Sequence, residues 1–208
     1  MMTKTIGAYR DTTNKEITGH KLYRHVNKRS AMDVTQALNH FVQKNNDNEY
    51  KGKIIFSITQ LHTSEKNKAA YQKAYVDKAA IKPVLHAIAS HNFPRVFTNG
   101  FTVYGGSIVN GEPRARVFKI QYKKSGEGEH TKRQYVFTVD EGLGRKTQTG
   151  AIQLVRKDTN VQAYISYEEA LKMSHEVLDF IHHAELAAMI NGKPLYTEYT
   201  IPTAQQVF

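Results

Sequence analysis

The chain has 208 residues, no cysteine and a formal net charge of +10. The lack of cysteine excludes disulfides, thiolate nucleophiles and cysteine-ligated zinc or iron–sulfur sites, and is typical of proteins in a reducing compartment. No apolar run in the sequence reaches the roughly 18 residues of a membrane helix, and the amino terminus carries no apolar signal region. We therefore expect a protein of the cytoplasm that does not enter a membrane.

The positive charge lies in the first three quarters of the chain. Residues 158–208 carry a net charge of −5, so residues 1–157 carry +15. Residues 114–157 alone hold eleven Lys and Arg against four acids. A basic body of this kind favours a polyanionic partner, DNA or RNA above all. An acidic protein surface is the alternative that the same charge allows.

The first elements along the chain are a basic segment, a helix and a strand. Residues 1–30 are polar and rich in Lys and Arg. Between residues 31 and 44, apolar side chains recur at i, i+4, i+7 and i+8 behind Ser30, a suitable cap, which predicts a helix. Lys53–Leu61 is rich in Ile and Phe, which is typical of a strand.

The middle of the chain changes from a helical to an extended period. Ser64 can cap a long helix, and Pro83 predicts a kink in it, or a stop and restart. From Arg95 to Tyr167 the apolar period is two, and turn-forming residues divide this stretch into up to five strands. Because their connections are short, we expect an antiparallel meander.

The last part of the chain predicts a helix and an extended tail. Glu168–Asn191 has helical spacing and ends at a glycine. Residues 193–208 are amphipathic without a helical period, so we expect them to pair at a sheet edge or to reach a second subunit in a homo-oligomer. The predicted fold class is α+β, with an antiparallel meander of about five strands packed against two to three helices and a helical C-terminal segment. We expect one domain over residues 31–192, with 1–30 and 193–208 as appendages.

Residues 114–139 are predicted to form a hairpin with cations and aromatic rings on one face. Arg114, Arg116 and Lys124 alternate with Phe118, Ile120 and Tyr122 on the first strand, and Arg133, Tyr135 and Phe137 follow on the second. Such a face could stack bases and hold phosphates. In the alternative interpretation, the aromatic residues are ordinary core that faces a helix.

A glycine-rich segment follows this hairpin. Gly142, Gly144 and Gly150 permit positive φ angles, so backbone N–H groups near Arg145 and Lys146 could form an anion-binding nest. The alternative is a long hairpin loop with solvated charges.

The sequence therefore predicts a non-enzymatic binding protein for a polyanion, with neither a cofactor nor a metal. The predicted nucleic-acid-binding residues are Lys21, Arg24, Lys28, Arg29, Arg114, Arg116, Tyr122, Lys124, Arg133, Arg145 and Lys146. The alternative function is a protein-interaction, assembly or inhibitor module, of the kind found among viral components, that binds an acidic protein surface.

Two metal-site patterns are weaker. His175, Asp179 and His182 or His183 share one face of the last predicted helix, within reach of a single divalent metal, although we favour a polar outer face as their explanation. The third functional hypothesis is a metal-dependent nuclease, in which the Gln121-Tyr-Lys123 triplet would act with Glu112 or with the pair at 140–141.

Overall fold

The computed structural model shows a mixed α+β fold that contains more than one sheet. It describes residues 21–38, 41–44, 47–50, 52–61, 70–126 and 131–190. Within these ranges the chain forms two four-stranded antiparallel sheets, a two-stranded ribbon and three helices. The predicted α+β class is confirmed, but the expectation of about five strands in one meander is wrong.

The first sheet, here the N-terminal sheet, is made by residues before position 78. Its strands are β1 (Lys21–Val26), β2 (Ser30–Ala37), β5 (Lys53–Gln60) and β6 (Ala70–Asp77), in the order β1-β2-β5-β6. The ribbon of β3 (Phe41–Lys44) and β4 (Asp47–Tyr50) lies between β2 and β5 in the chain. The strand predicted at Lys53–Leu61 is confirmed as β5.

The helix predicted for residues 31–44 is wrong, because this stretch forms β2 and β3. Met32 and Val34 are buried while their neighbours are half-exposed, which is the period of a strand. Residues four apart share one face of a strand as well as one face of a helix. The spacing of Val34 and Leu38 therefore did not distinguish the two structures.

The helix predicted from Ser64 begins later than expected. Residues 62–69 lie outside the described residues, 70–77 form β6, and helix α1 spans Lys78–Ala89. On β6, Ala74 and Val76 are buried in alternation with more exposed neighbours, which again is the strand period. Helix α1 continues through Pro83, so the predicted stop does not occur there.

The second sheet, here the C-terminal sheet, is a meander of four strands in chain order. After helix α2 (Phe93–Val96) come β7 (Phe101–Val109), β8 (Glu112–Ser125), β9 (Lys132–Lys146) and β10 (Ile152–Ser166). The last two of the five predicted strands are one strand, β10. Its predicted break at 158–160 is a register shift against β9, since a bulge bends a strand without ending it.

Two local predictions in this half of the chain are confirmed. The Asn110-Gly111 turn joins β7 to β8, with φ angles of 51° and 81°. Both residues tolerate this left-handed region, which a tight two-residue hairpin turn requires. Helix α3 spans Tyr167–Ile190, as its apolar spacing predicts.

The two sheets pack face to face around an aromatic core. The ring centroid of Phe56 on β5 lies 4.9 Å from that of Phe118 on β8 and 5.9 Å from that of Phe137 on β9. Helix α3 packs on α1 and on β1, β9 and β10. Among the described residues, none of the helices combines the length and apolar character that crossing a bilayer requires.

Candidate nucleic-acid interface

A cleft with a basic lining opens between the β1–β2 turn and the adjoining ends of β9 and β10. Its volume is about 660 Å³. We call it the basic cleft, and it is lined by His25, Asn27, Lys28, Arg29, Lys132, Gln134, Tyr164, Ile165 and Ser166. This described lining contains three permanent cations and no acid.

The β1–β2 turn holds two of these cations in place through Asn27. The Asn27 Oδ1 accepts hydrogen bonds from the backbone N–H groups of Arg29 (2.8 Å) and Ser30 (2.9 Å). This is the local side-chain turn that Asn favours. Its Nδ2 donates to the carbonyl oxygen of Tyr164 at 3.1 Å, which ties the turn to β10. Lys28 and Arg29 are therefore exposed on an anchored turn.

The opposite wall of the basic cleft is built by strand alternation. Lys132 and Gln134 are two residues apart on β9, so they share a face of the sheet. Gln134 pairs with Ser166 on β10 and with Lys123 on β8, which brings a further exposed cation beside the cleft. Tyr164 on the same face is 38% exposed, and an exposed ring of this kind can stack on a base.

Lys124 and Arg133 lie at the same end of the C-terminal sheet but on its other face. They are directly opposite each other in the β8–β9 register. The Arg133 guanidinium lies 4.3 Å from the ring centroid of Tyr167, a cation–π contact that fixes its position. Both side chains are exposed, so they extend the positive surface around this end of the molecule.

Lys21 and Arg24, on β1, share one acidic partner. The Asp33 carboxylate lies 3.0 Å from the Lys21 Nζ and 3.7 Å from the Arg24 Nε. All three side chains are at least partly exposed, and such pairs add little stability. The pairing does place a negative charge among these cations, so the two contribute less positive potential than the sequence suggests.

Arg114 and Arg116 on β8 are likewise paired with acids. The Arg114 Nη1 donates to Asp158 at 2.7 Å, and the Arg116 Nε donates to Glu141 at 3.0 Å. Hydrogen bonds from Arg114 and Arg156 lower the pKa of Asp158, which keeps this carboxylate ionised. These two arginines therefore face local negative charge and do not line the basic cleft.

The glycine-rich segment is not an anion nest. Gly142 and Gly144 lie within β9, and of the three glycines only Gly150, in the turn after it, has a positive φ angle, 84°. Arg145 and Lys146 are exposed at the far end of β9, roughly 40 Å of strand from its first residue. The structure does not bring them to the basic cleft.

The aromatic residues of the predicted hairpin face are core, as the alternative interpretation held. Phe118, Tyr135 and Phe137 are 2% exposed or less. Tyr122 is half-buried, and its ring centroid lies 5.4 Å from that of Tyr135 and 6.3 Å from that of Tyr167. The face that can meet a ligand is therefore the opposite one, which carries Tyr164.

The two carboxylates of the nuclease hypothesis point to opposite faces of β9, because neighbouring strand residues alternate. Asp140 accepts a hydrogen bond from Asn160 (2.6 Å) and lies 3.0 Å from the Lys157 Nζ and 3.6 Å from the Lys119 Nζ. Burial opposes its ionisation, but these partners outweigh burial and lower its pKa. Glu141 lies on the other face, in its own ion pairs. The pair does not form a joint metal site.

The remaining metal patterns are also dispersed. Lys123 on β8 lies opposite Gln134 on β9. Gln134 is six residues before Asp140, so Lys123 and Asp140 are separated by roughly 20 Å along the strand. His175 and Asp179 are on the exposed face of α3. Within the part of the chain that the structure describes, no three His, Asp or Glu side chains lie close enough together to hold a metal ion.

Sequence reasoning missed seven of the nine residues that line the basic cleft, among them Asn27, Lys132, Gln134 and Tyr164. Lys132 precedes Arg133, so the charge pattern contained a signal for it. Tyr164 alternates with buried Ala163 and Ile165, which identifies it as an outward ring only once the strand is known. The approach of Asn27 to Tyr164 joins residues 137 positions apart, which no local pattern encodes.

Comparison with known proteins finds little. No protein-family model and no curated protein matches the chain. It is similar to a solved structure described as "Structure of the plant transcriptional regulator PBF-2", with 10% sequence identity and a TM-score of 0.43 over 85% of this chain and 97% of that chain. A likeness this distant supports no conclusion about function, so the interpretation of the site depends on its own geometry.

Proposed function

We propose that this chain is a non-enzymatic nucleic-acid-binding protein and that the basic cleft is its contact surface. The observation that supports this most is the set of cations there, Lys28, Arg29 and Lys132. None of the three has an ion pair with an acid among the described residues, whereas the cations of β1 and the first half of β8 do. Unpaired cations on an exposed cleft attract phosphates and release counterions when they bind them.

The cleft also offers contacts beyond charge. The exposed ring of Tyr164 provides a surface on which a base can stack, and the amide of Gln134 provides both a donor and an acceptor. Phosphate contacts position a nucleic acid, whereas ring and amide contacts reach its bases. The combination favours a polynucleotide over a simple anion.

The test is to remove two cleft charges and to compare the effect with removal of two charges elsewhere. In Lys28→Gln/Lys132→Gln, we expect the affinity for labelled oligonucleotides to fall about tenfold or more, because two phosphate contacts are lost. The control Arg145→Gln/Lys146→Gln removes the same charge at the far end of β9. Fluorescence anisotropy with single- and double-stranded DNA and RNA measures both.

Equal weakening in the two variants would show that binding depends on net charge and not on the cleft. Absence of binding to any of the four nucleic acids by the parent chain would reject the proposed function altogether.

A further inference from the structure

The C-terminal sheet has a face turned away from the aromatic core, and we call it the outer face. Phe118 and Phe137 point into the core, so the residues next to them along β8 and β9 point outward, as strand alternation requires. The strand registers extend this assignment to β7 and β10. The following outward side chains are all at least partly exposed: Tyr104, Lys119, Gln121, Lys123, Gln162 and Tyr164.

The basic cleft opens onto the outer face. Gln134 and Ser166, which line the cleft, are directly paired with each other, and Gln134 is also paired with Lys123 of the outer face. Tyr164 lies two residues before Ser166 on β10 and so shares its face. A ligand held in the cleft can therefore continue over the outer face without crossing an edge of the sheet.

Two exposed tyrosine rings stand on the outermost strands of this face. Tyr104 on β7 is 75% exposed and Tyr164 on β10 is 38% exposed. The Tyr164 hydroxyl donates a hydrogen bond to the Gln162 Oε1 at 2.8 Å, so its ring leans along β10. The two tyrosines are separated by three inter-strand spacings and four residues of register, which is roughly 20 Å. Each ring offers a surface on which an unpaired base can stack.

The surface between the two rings is polar and positive. Lys119 and Lys157 share the Asp140 carboxylate, which lies 3.6 Å and 3.0 Å from their Nζ atoms, so this group keeps a net positive charge. Lys123 adds a further exposed cation. The Gln121 amide provides both a donor and an acceptor. A phosphate backbone can therefore cross this surface without repulsion.

The breadth of the outer face suits a single strand better than a duplex. The four strands of the sheet span roughly 14 Å between the axes of the outermost two, before side chains are added, whereas the major groove of B-DNA is about 12 Å wide. The sheet face therefore cannot enter the groove to reach base edges. The bases of a single strand are unpaired, so they can turn onto exposed rings.

We propose that the ligand of the basic cleft is a single-stranded nucleic acid, which runs from the cleft across the outer face and stacks bases on Tyr164 and Tyr104. The inference rests on the proposed function. It adds the form of the nucleic acid and a second contact surface that lies outside the basic cleft.

Tyr104→Ala tests the far end of this path, because Tyr104 does not line the basic cleft and its exposed ring is not part of the core. In the parent we expect single strands to bind at least about tenfold more tightly than duplexes of equal length at the same salt, since only single strands can stack on both rings. Tyr104→Ala should weaken single-strand binding about fivefold or more and leave duplex binding unchanged. Fluorescence anisotropy with DNA and RNA measures both.

Two control variants separate stacking from other effects. Tyr71→Ala removes a ring that is 49% exposed on β6 of the N-terminal sheet, and we expect it to bind as the parent does. Tyr104→Phe keeps the ring and loses only the hydroxyl, so it should also bind as the parent does.

Three results would overturn this inference while nucleic-acid binding at the basic cleft still stood. The first is a duplex that binds as tightly as a single strand. The second is an equal effect of Tyr104→Ala and Tyr71→Ala on single-strand affinity. The third is a loss in Tyr104→Phe as large as that in Tyr104→Ala. A parent chain that binds no nucleic acid would instead reject the proposed function, and this inference with it.

Discussion

At the scale of single residues, Asp140 combines burial with a negative charge. It is 3% exposed, yet its carboxylate stays ionised at neutral pH because Asn160, Lys157 and Lys119 surround it. Burial raises the free energy of a charge unless partners replace the lost water. The partners prevail here, and the pKa of Asp140 is lower than its ordinary value.

This shift predicts how stability depends on pH at Asp140. A carboxyl whose pKa is lower in the folded than in the unfolded chain stabilises the fold above the unfolded pKa. That contribution disappears as the pH falls through the folded pKa. We expect Asp140→Asn to lower the free energy of unfolding at pH 7 by about 1–3 kcal/mol, and the difference from the parent to shrink below about pH 4.

Urea unfolding from neutral to acidic pH measures this difference, with Asp179→Asn on the exposed face of α3 as the control. A difference for Asp140→Asn that stayed constant across this range would mean that its ionisation contributes nothing.

At the scale of elements, the β9–β10 pair is irregular beside Gly142 and Gly144, where the sequence predicted a glycine-rich loop. Its register shifts lie between Leu154 and Arg156 and between Lys157 and Thr159. Gly142 lies against this bend, and a Cβ there would collide with the carbonyl oxygen of Arg156. A Cβ at Gly144 would likewise collide with the side chain of Ile152. These two glycines permit close packing between strands and not an anion site.

The close packing predicts a cost for a single methyl group at Gly142. In Gly142→Ala, β10 must move away, and overpacking of this kind lowers the free energy of unfolding by about 1–3 kcal/mol. Gly105→Ala is the matched control, because the nearest described atom to its Cβ would be the carbonyl oxygen of Arg116, at 3.9 Å. Thermal unfolding measures the Tm of both variants, and we expect the lower value for Gly142→Ala. Equal Tm values would show that β10 adjusts to the added methyl group without cost.

At the scale of the whole molecule, the net charge is less informative than its pairing. Arg114 and Arg116 belong to the most basic stretch of the sequence, yet both face acids. Lys28 and Lys132 come from separate stretches and line one cleft. The basic cleft is therefore a place where unpaired cations from separate parts of the chain meet.

This distribution predicts the salt dependence of nucleic-acid binding. If Lys28, Arg29 and Lys132 each neutralise one phosphate, the logarithm of the association constant should fall by about 2–3 for each tenfold rise in salt. Titrations at several salt concentrations between about 50 and 200 mM measure the slope. A slope near zero would contradict phosphate contacts, and a much steeper one would require cations outside the basic cleft.

The amino-acid sequence alone predicts the features that depend on neighbours along the chain. Helix α3, strand β5 and the Asn110-Gly111 turn follow from local spacing and backbone preference. The excess of positive charge before position 158 follows from composition. Local spacing failed at β2, where a repeat of four residues suits a helix and a strand alike.

The division of the strands into two sheets, and the pairing of the described cations with acids, depend on contacts between distant parts of the chain. Lys28 and Lys132 are 104 positions apart, and the hydrogen bond from Asn27 to Tyr164 joins the elements that carry them. Such contacts depend on how β1, β9 and β10 pack together, and neither charge content nor apolar period specifies that packing. The interface we propose exists because the fold brings separate basic segments together and neutralises others.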